Sequence, residues 1–224
     1  LAALGLAAAP PRARIAAADA KPVTIAFPFD ISSWDPVVGE TPTTSSINRC
    51  VFDKPLDLTP DLKFAPSVIA SHRWIGTDGL ALEINLRDDV YFHNGDKLTS
   101  DDFKFTFFDR VQRDKATLLF GVWSRVSAIE TPSPTQAIMR FREPMVTAPV
   151  MMADIPAYIL PRAYYEKVGK DGFAKAPVGS GPYKLVEYER NARIVLEANE
   201  RFWRGAPKIK RLVFQILRDP VARL

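Results

Sequence analysis

Proline is spread along the whole chain, and this distribution limits the fold more than any other single feature. The 224 residues include 19 prolines. Proline breaks the interior of a helix and cannot donate a hydrogen bond to a sheet ladder. Its frequency therefore predicts many transitions from strand to loop and argues against a helical bundle.

Alternating side chains predict a β-hairpin in the first half of the chain. The bulky apolar residues at 80, 82, 84 and 86 alternate with Ala81, Glu83 and Asn85, which is the pattern of a half-buried strand. The pair Asp78-Gly79 just before them is a tight-turn signal. Residues 71–75 are therefore expected to pair with this strand.

The other predicted elements mix strands with helices, without a strict β-α alternation. Further strands are predicted at residues 23–27, 126–130, 137–141, 183–189, 193–198 and 212–216, and those at 183–189 and 193–198 are expected to form a hairpin around Asn191-Ala192. Helices are predicted to start at Thr41-Pro42, at Thr99 and at Pro161, the last of them a short helix through Lys167. The second helix places Phe103, Phe107 and Val111 on one face, where a core is expected. This order predicts an α+β fold.

The charge balance does not point to a nucleic-acid partner. The net charge is only +4, from 30 basic and 26 acidic residues, and the basic residues are densest over residues 201–218. A nucleic-acid patch and a solvated face would both fit that density. The solvated face is preferred, because no recognised nucleic-acid module surrounds these residues.

Cysteine and histidine usage predicts neither a metal site nor a cofactor. Cys50 is the single cysteine, which excludes an internal disulfide and a cysteine metal site. It is expected to be buried beside Ile47 and Val51. His72 and His93 are too far apart for a local metal motif.

The first twenty residues resemble an export signal. An apolar run rich in Ala and Leu at residues 1–9 is followed by small residues up to Ala20. This pattern predicts a signal peptide, without its start, that is cleaved after Ala18 or Ala20. The run is too short to span a bilayer, and a disordered Ala-rich tail is the alternative.

Local motifs for catalysis are missing from the sequence. It contains neither a G-x-S-x-G elbow nor a Walker loop. Gly179-Ser180-Gly181 precedes a strand rather than a helix, so these glycines are expected to allow a tight turn into Tyr183. Asp101-Asp102 lies at a helix start, where acidic side chains act as caps.

Aromatic residues in loop-like positions are the remaining candidates for function. They are Phe29, Trp34, Phe120, Trp123 and Tyr158. Large aromatic side chains with a few polar groups suit a concave small-molecule site. They suit an ordinary core equally well, so the residues alone leave both possibilities open.

Five blocks, in order, resemble the family-5 extracellular solute-binding proteins of bacterial ABC importers. The blocks are APSVIASHRW at 65–74, DGLALEINLR at 78–87, VYFHNGDKLTSDDF at 90–103, PVGSGPY at 177–183 and LEANERFW at 196–203. Together they extend over nearly all of the chain after the leader. The departures, such as Asn94 and Lys97 for the family's Asp and Pro, are conservative for the fold and do not indicate a ligand.

The resemblance implies a fold of the class II periplasmic-binding-protein kind, in which two lobes close over a ligand. It implies that residues 21–42 and 177–224 belong to the first lobe, residues 43–176 form a small subdomain, and the second lobe is absent. The chain stops just after a strand, so we expect it to be incomplete at its C-terminus. The implied location is the periplasm, and the implied partner is an inner-membrane ABC permease.

The implied activity is capture of a small ligand, most plainly an oligopeptide, by a monomer without catalysis. The residues expected to line the cleft are Phe29, Asp30, Trp34, Asp35, Phe120, Trp123, Gln215 and Arg218. Packing or solvation is the alternative for each of them. Two rival hypotheses stay open, namely a secreted hydrolase and a non-functional gene fragment of the same family.

Overall fold

The computed structural model describes residues 21–38, 40–154 and 157–223. The predicted signal peptide, residues 1–20, lies outside this range. The described strands are β1 (Val23–Phe27), β2 (Leu56–Leu58), β3 (Phe64–Pro66), β4 (Ile69–Trp74), β5 (Ala81–Leu86), β6 (Val126–Ser133), β7 (Gln136–Phe141), β8 (Tyr183–Glu189), β9 (Arg193–Ala198) and β10 (Arg211–Ile216). The described helices are α1 (Pro42–Val51), α2 (Ser100–Lys104), α3 (Arg110–Arg113), α4 (Leu118–Trp123), α5 (Ala148–Asp154) and α6 (Arg162–Lys175). The predicted α+β class is confirmed.

The first sheet joins the beginning of the described chain to its end. Its strand order is β1-β10-β9-β8. Strand β1 runs parallel to β10, with Val23 opposite Leu212 and Phe27 opposite Ile216, whereas the other pairs are antiparallel. The β8–β9 hairpin turns at Asn191, which has a positive φ of 60°, as asparagine tolerates better than most residues. The parallel pair brings the carboxyl ends of β1 and β10 side by side.

The second sheet is built from nearby residues and has the order β4-β5-β7-β6, with all neighbours antiparallel. The predicted hairpin is confirmed, since β4 pairs with β5 and places Arg73 opposite Glu83. A short ribbon of β2 and β3 accompanies it. One face of this sheet packs against the α2–α3 region.

Helix α1 begins where the sequence predicts. The Thr41 hydroxyl oxygen accepts from the N–H of Thr44 (3.2 Å), and the Thr44 oxygen accepts from the N–H of Thr41 (2.9 Å). This reciprocal capping satisfies two of the donors that a helix start leaves unpaired. Pro42 occupies the first helical position, where the missing N–H costs nothing.

The second predicted helix is interrupted by a π-helical turn, Phe105–Asp109, between α2 and α3. Phe103, Phe107 and Val111 are fully buried in the core that the second sheet covers, as predicted. Phe105 instead packs into the other core, beneath the first sheet. The segment therefore contributes to both cores, which the 3.6-residue pattern does not reveal.

The first sheet covers a second core that draws on distant parts of the chain. Its buried members include Ile47 and Val51 of α1, Phe173 of α6 and Phe214 of β10. Helix α6 extends to Lys175, well beyond the predicted end at 167, with a break in its dihedral angles at Gly169. The division of the chain at 42/43 and 176/177 stays a prediction.

Gly179 and Gly181 permit close packing against the end of α1, where the chain bends at residues 181–182 before Tyr183. A Cβ atom on Gly181 would lie 2.6 Å from the main-chain carbon of Val51. The N–H of Gly181 donates to the carbonyl oxygen of Val51 (2.9 Å). Neither glycine has a positive φ, so the close contact with α1, rather than a left-handed backbone, explains why both positions are glycine.

His93 connects the loop before α2 to the same glycine segment. Its Nδ1 accepts from the N–H of Gly179 (3.3 Å), and its Nε2 lies 3.0 Å from the carbonyl oxygen of Gly181. These partners require a neutral ring with the proton on Nε2. Burial lowers the pKa of His93 to about 4.

We expect the His93 ring to make stability fall in acid. Its folded pKa of about 4 lies below an unfolded value near 6.5. The unfolded chain thus takes up the proton first, and the stability present above pH 6.5 is lost as pH falls toward 4. The loss between pH 7.5 and pH 5 should be about 2 kcal/mol, measured by urea unfolding at each pH.

His93→Gln is the matched control, because glutamine offers one acceptor and one donor but does not titrate. Burial raises the pKa of Asp53 to about 6. This carboxyl therefore makes stability rise as pH falls, which is opposite to the effect of His93. Subtracting the variant's free energy of unfolding from that of the wild type at each pH removes the Asp53 contribution, which both proteins share. If the stability difference between wild type and His93→Gln stays constant between pH 7.5 and pH 5, the loss of stability in acid does not come from His93.

Candidate functional site

A shallow cleft of about 370 Å³ opens where β1 ends. The loop after β1 and the first turn of α1 line it with Phe29, Asp30, Ser32, Thr41, Thr43 and Thr44. The ends of β1 and β10 are tied together beside it, since the N–H of Leu217 donates to the carbonyl oxygen of Phe27 (2.8 Å). Open α/β sheets bind ligands beyond the carboxyl ends of their strands, and the β1–β10 pair provides that geometry.

Asp30 supplies a carboxylate to the cleft and is held by three donors. Its Oδ1 accepts from the N–H of Ile31 (2.8 Å). Its Oδ2 accepts from the hydroxyl of Tyr188 (2.9 Å) and from the N–H of Asn191 (2.7 Å). Hydrogen bonds to a charged acceptor are stronger than neutral ones. The carboxylate is therefore fixed in position before any ligand arrives.

Gln215 and Arg218 reach the same β8–β9 turn from the end of β10. The Nε2 of Gln215 donates to the carbonyl oxygen of Ala192 (3.1 Å), and Nη2 of Arg218 donates to Oδ1 of Asn191 (2.6 Å). Three of the expected site residues, Asp30, Gln215 and Arg218, thus converge on one turn. Phe29 stands beside them with 59% of its surface exposed, available for contact.

Trp34 and Asp35 are buried instead of facing the cleft. Trp34 is 1% exposed and packs edge-on against Tyr188. Asp35 is fully buried and forms a two-pronged ion pair with Arg110 (2.7 and 3.3 Å), while the hydroxyl of Tyr165 donates to the same carboxylate (2.9 Å). This network links the loop after β1 to α3 and α6.

Phe120 and Trp123 of α4 also belong to the packing of the protein. Trp123 is fully buried, with its ring centroid 5.1 Å from that of Phe107. Phe120 is half-buried against the same core, and the Lys115 ammonium lies 6.0 Å from its ring. Neither residue lines the cleft at the end of β1.

Tyr188 and Asn191 are part of the site but were missed from the sequence. Both contact Asp30 because the β8–β9 turn lies at the same end of the sheet as the carboxyl ends of β1 and β10. Asn191 carried a signal, since it marks the predicted hairpin turn, but its contact with Asp30 depends on the sheet order. Burial and the bond to Asp30 raise the pKa of Tyr188 to about 12, so its hydroxyl keeps its proton and remains a donor.

Glu40 lies next to the cleft and is held in place by a buried tyrosine. Burial raises the pKa of Glu40, and the hydroxyl of Tyr158 donates to its Oε1 (2.9 Å). Glu40 directly precedes the α1 cap at Thr41. The cleft therefore combines one fixed carboxylate, four hydroxyls and one exposed ring, which can bind polar or mixed ligands through hydrogen bonds and apolar contact.

A somewhat larger cavity, about 420 Å³, lies between the loop at Phe92 and the start of α6. It is lined mainly by charged side chains of both signs, and none of its lining residues comes from β1 or β10. We prefer the smaller cleft because it lies beyond the strand ends. Among the residues that the structure describes, no cluster of three His, Cys, Asp or Glu side chains could hold a metal ion.

The basic residues near the end are largely engaged within the protein. Arg201 lies over the Tyr91 ring (5.0 Å), Arg204 pairs with Asp57 (2.6 Å), and Lys210 pairs with Glu200 (2.8 Å). These contacts favour the solvated-face interpretation of that region. No helix in the described ranges has the length and apolar character needed to cross a membrane.

Comparisons with known proteins agree on one fold. The periplasmic binding protein AgaA of Agrobacterium tumefaciens R10, solved with agropinic acid, matches with a TM-score of 0.81 at 24% identity, over 90% of this chain and 40% of its own. DppA of Helicobacter pylori, solved with the peptide STSA, matches with a TM-score of 0.80 at 22% identity, over 90% of this chain and 43% of its own. The fold is thus that of the class II periplasmic binding proteins, of which this chain represents a part.

Sequence comparison identifies the family. Residues 63–224 match the bacterial extracellular solute-binding proteins, family 5 (middle), and the chain belongs to that family. The glutathione-binding protein GsiB of Salmonella paratyphi A is 26% identical over 222 residues, which is 98% of this chain. The chain spans between 26% and 42% of the length of the curated relatives it matches.

Proposed function

We propose that this chain supplies one side of a ligand-capturing cleft in the periplasmic substrate-binding component of an ABC importer. The convergence of Asp30, Gln215 and Arg218 on the β8–β9 turn, beside the cleft at the end of β1, carries this proposal. A fixed carboxylate, hydroxyls and an exposed ring are suited to holding a small polar solute without altering it.

Oligopeptides or similar small solutes are the proposed ligands. Strand β1 lies at the edge of the first sheet within the described residues, and an edge strand can pair with an extended main chain of almost any sequence. Phe29 and the threonine hydroxyls would then contact side chains. Cleft residues on the remainder of a longer protein would complete ligand enclosure, which an open surface provides poorly.

A binding role fits the chemistry of the cleft better than the hydrolase alternative. Neither histidine lines the cleft, and the His93 ring is already engaged by Gly179 and Gly181. The family consists of solute-binding proteins. We therefore propose a non-enzymatic, monomeric protein that works in the periplasm after signal cleavage and delivers its ligand to an inner-membrane permease.

Peptide binding should raise the unfolding midpoint of the 224-residue chain, and Phe29→Ala should reduce that rise. A ligand that binds only the folded state stabilises it by about 2.7 kcal/mol at a hundredfold excess over Kd. Loss of the exposed Phe29 ring should weaken binding about fivefold, since contacts of an aromatic ring are worth on the order of 1 kcal/mol. Thermal unfolding with a pooled di- to pentapeptide library measures both effects.

Leu62→Ala is the matched control, because Leu62 is 77% exposed and does not line the cleft. It should leave the ligand-induced rise unchanged. An equal rise in Phe29→Ala would place binding elsewhere. A cooperative transition without any rise would contradict binding by this chain, and loss of the cooperative transition itself would favour the gene-fragment alternative.

A further inference from the structure

A further cavity, separate from the two already described, lies between α3 and α6. Its volume is about 340 Å³, at the lower end of the range for small-molecule sites. Its inner wall is formed by Phe105 and Tyr165, whose ring centroids are 5.4 Å apart. A cavity of this size with an aromatic wall suits a ligand with one compact apolar group.

Two departures from regular helix border this cavity. Phe105 is the first residue of the π-helical turn, and Gly169 interrupts α6 with φ 70° and ψ 175°. π-Helical turns inside α-helices occur frequently at functional sites, where they displace the local backbone. Here both irregularities lie on the walls of one cavity, although they are far apart in sequence.

The inner wall is rigid, because the buried network around Asp35 holds it. The Arg110 guanidinium, 6% exposed, lies 4.5 Å from the Tyr165 ring centroid, and both side chains bind Asp35. The Tyr165 ring therefore cannot rotate away without breaking a buried hydrogen bond. A preorganised wall lowers the entropy cost of binding.

Each side of the cavity mouth carries one cation and one anion. Arg113 and Asp114 stand at the end of α3, and Glu166 and Lys170 stand on α6. They pair across the mouth, with Arg113 Nη1 3.5 Å from Glu166 Oε1 and Lys170 Nζ 3.1 Å from Asp114 Oδ2. These side chains are partly exposed, so such pairs add little stability and can exchange for a ligand's charges.

We propose that this cavity binds a free amino acid with a large apolar side chain. Its carboxylate would replace Glu166 or Asp114 as the partner of Arg113 or Lys170, and its ammonium group would bind the released carboxylates. Its side chain would pack on Phe105 and Tyr165. A ligand with a single charge engages only half of this paired mouth, so both charges are expected to contribute to binding.

Titration of the 15N-labelled 224-residue chain with L-phenylalanine tests the proposal. We expect a Kd on the order of 1 mM, as befits a small ligand in a half-open site. The amide signals of Asp114 and Gly169 should shift and saturate. Phenylpropionate, phenylethylamine and glycine each lack one of the three groups, and each should bind at least tenfold more weakly.

Two variants separate this cavity from other sites. Arg113→Gln and Lys170→Gln should each weaken L-phenylalanine about tenfold. Arg125→Gln is the control, because Arg125 forms a similarly exposed pair with Glu143 (2.7 Å) and does not line this cavity; it should change nothing. The proposal does not depend on the proposed function.

Three results would overturn the proposal. They are an absence of saturable shifts, equal binding of the singly charged compounds, and shifts confined to Asp30 and Asn191. The last result would identify the amino acid as a ligand of the β1 cleft, which would support the proposed function while removing the second site.

Discussion

Replacing Gly179 by alanine should destabilise the protein by about 3 kcal/mol or more, at the upper end of the cost of overpacking. The added Cβ would lie 2.8 Å from Phe52 Cδ1 and 2.9 Å from the main-chain carbon of Val51, and closer still to the Val51 carbonyl oxygen. Two of these atoms are main chain, so a side-chain rotation cannot relieve the clash. The segment must move away from α1, which also strains the bonds to His93.

Gly121→Ala is the matched control for this substitution. Gly121 lies in α4, and a Cβ there meets nothing within 4 Å. Alanine has the higher helix propensity, so this variant should match wild-type stability or exceed it by up to about 1 kcal/mol. Urea unfolding measures both changes. Equal stability of the two variants would show that the packing of residues 177–183 on α1 adapts readily.

Replacing Arg110 by methionine should cost about 3–5 kcal/mol, because it leaves the Asp35 charge buried without its partner. Asp35 is fully buried and receives two hydrogen bonds from Arg110. The Tyr165 hydroxyl and the N–H of Val37 also donate to Asp35 (2.9 and 3.4 Å), but these neutral donors cannot compensate for the missing positive charge. Tyr165→Phe, in contrast, removes a donor to Asp35 and an acceptor for Arg110 (3.0 Å) but leaves the two charges paired, and should cost about 2 kcal/mol.

The double variant Asp35→Leu with Arg110→Met distinguishes a stranded charge from lost packing. Replacement of both partners of a buried ion pair by apolar residues is often close to neutral. We therefore expect the double variant to be more stable than Arg110→Met alone, by urea unfolding in a double-mutant cycle. A double variant that loses the sum of both single effects would contradict this explanation.

The sequence predicted those elements whose signals are local. Strands β1, β8 and β9 have the predicted bounds, because apolar alternation and the turn at Asn191 specify them within a few residues. The α1 start at Thr41-Pro42 is equally local, since capping involves only adjacent residues. The hairpin of β4 and β5 follows from Asp78-Gly79 for the same reason.

Contacts between distant residues could not be derived in this way. The sequence gives no sign that Asp35 meets Arg110, or that Gly179 and Gly181 press on Val51. The aromatic candidates show the difficulty most clearly. Tryptophan suits either a cleft or a core, so the identity of Trp34 and Trp123 does not decide between them. Only the packing of the elements places both in the interior while Phe29 remains exposed.

The parallel pairing of β1 with β10 has a consequence for the order of folding. All four strands of the second sheet lie within residues 69–141. That sheet can therefore form as soon as this stretch has been synthesised. The β1–β10 pair requires closure of a loop that includes almost the whole described chain, which is slow. During synthesis β1 emerges before the other described strands yet finds its partner last, so until then its apolar residues remain available to chaperones.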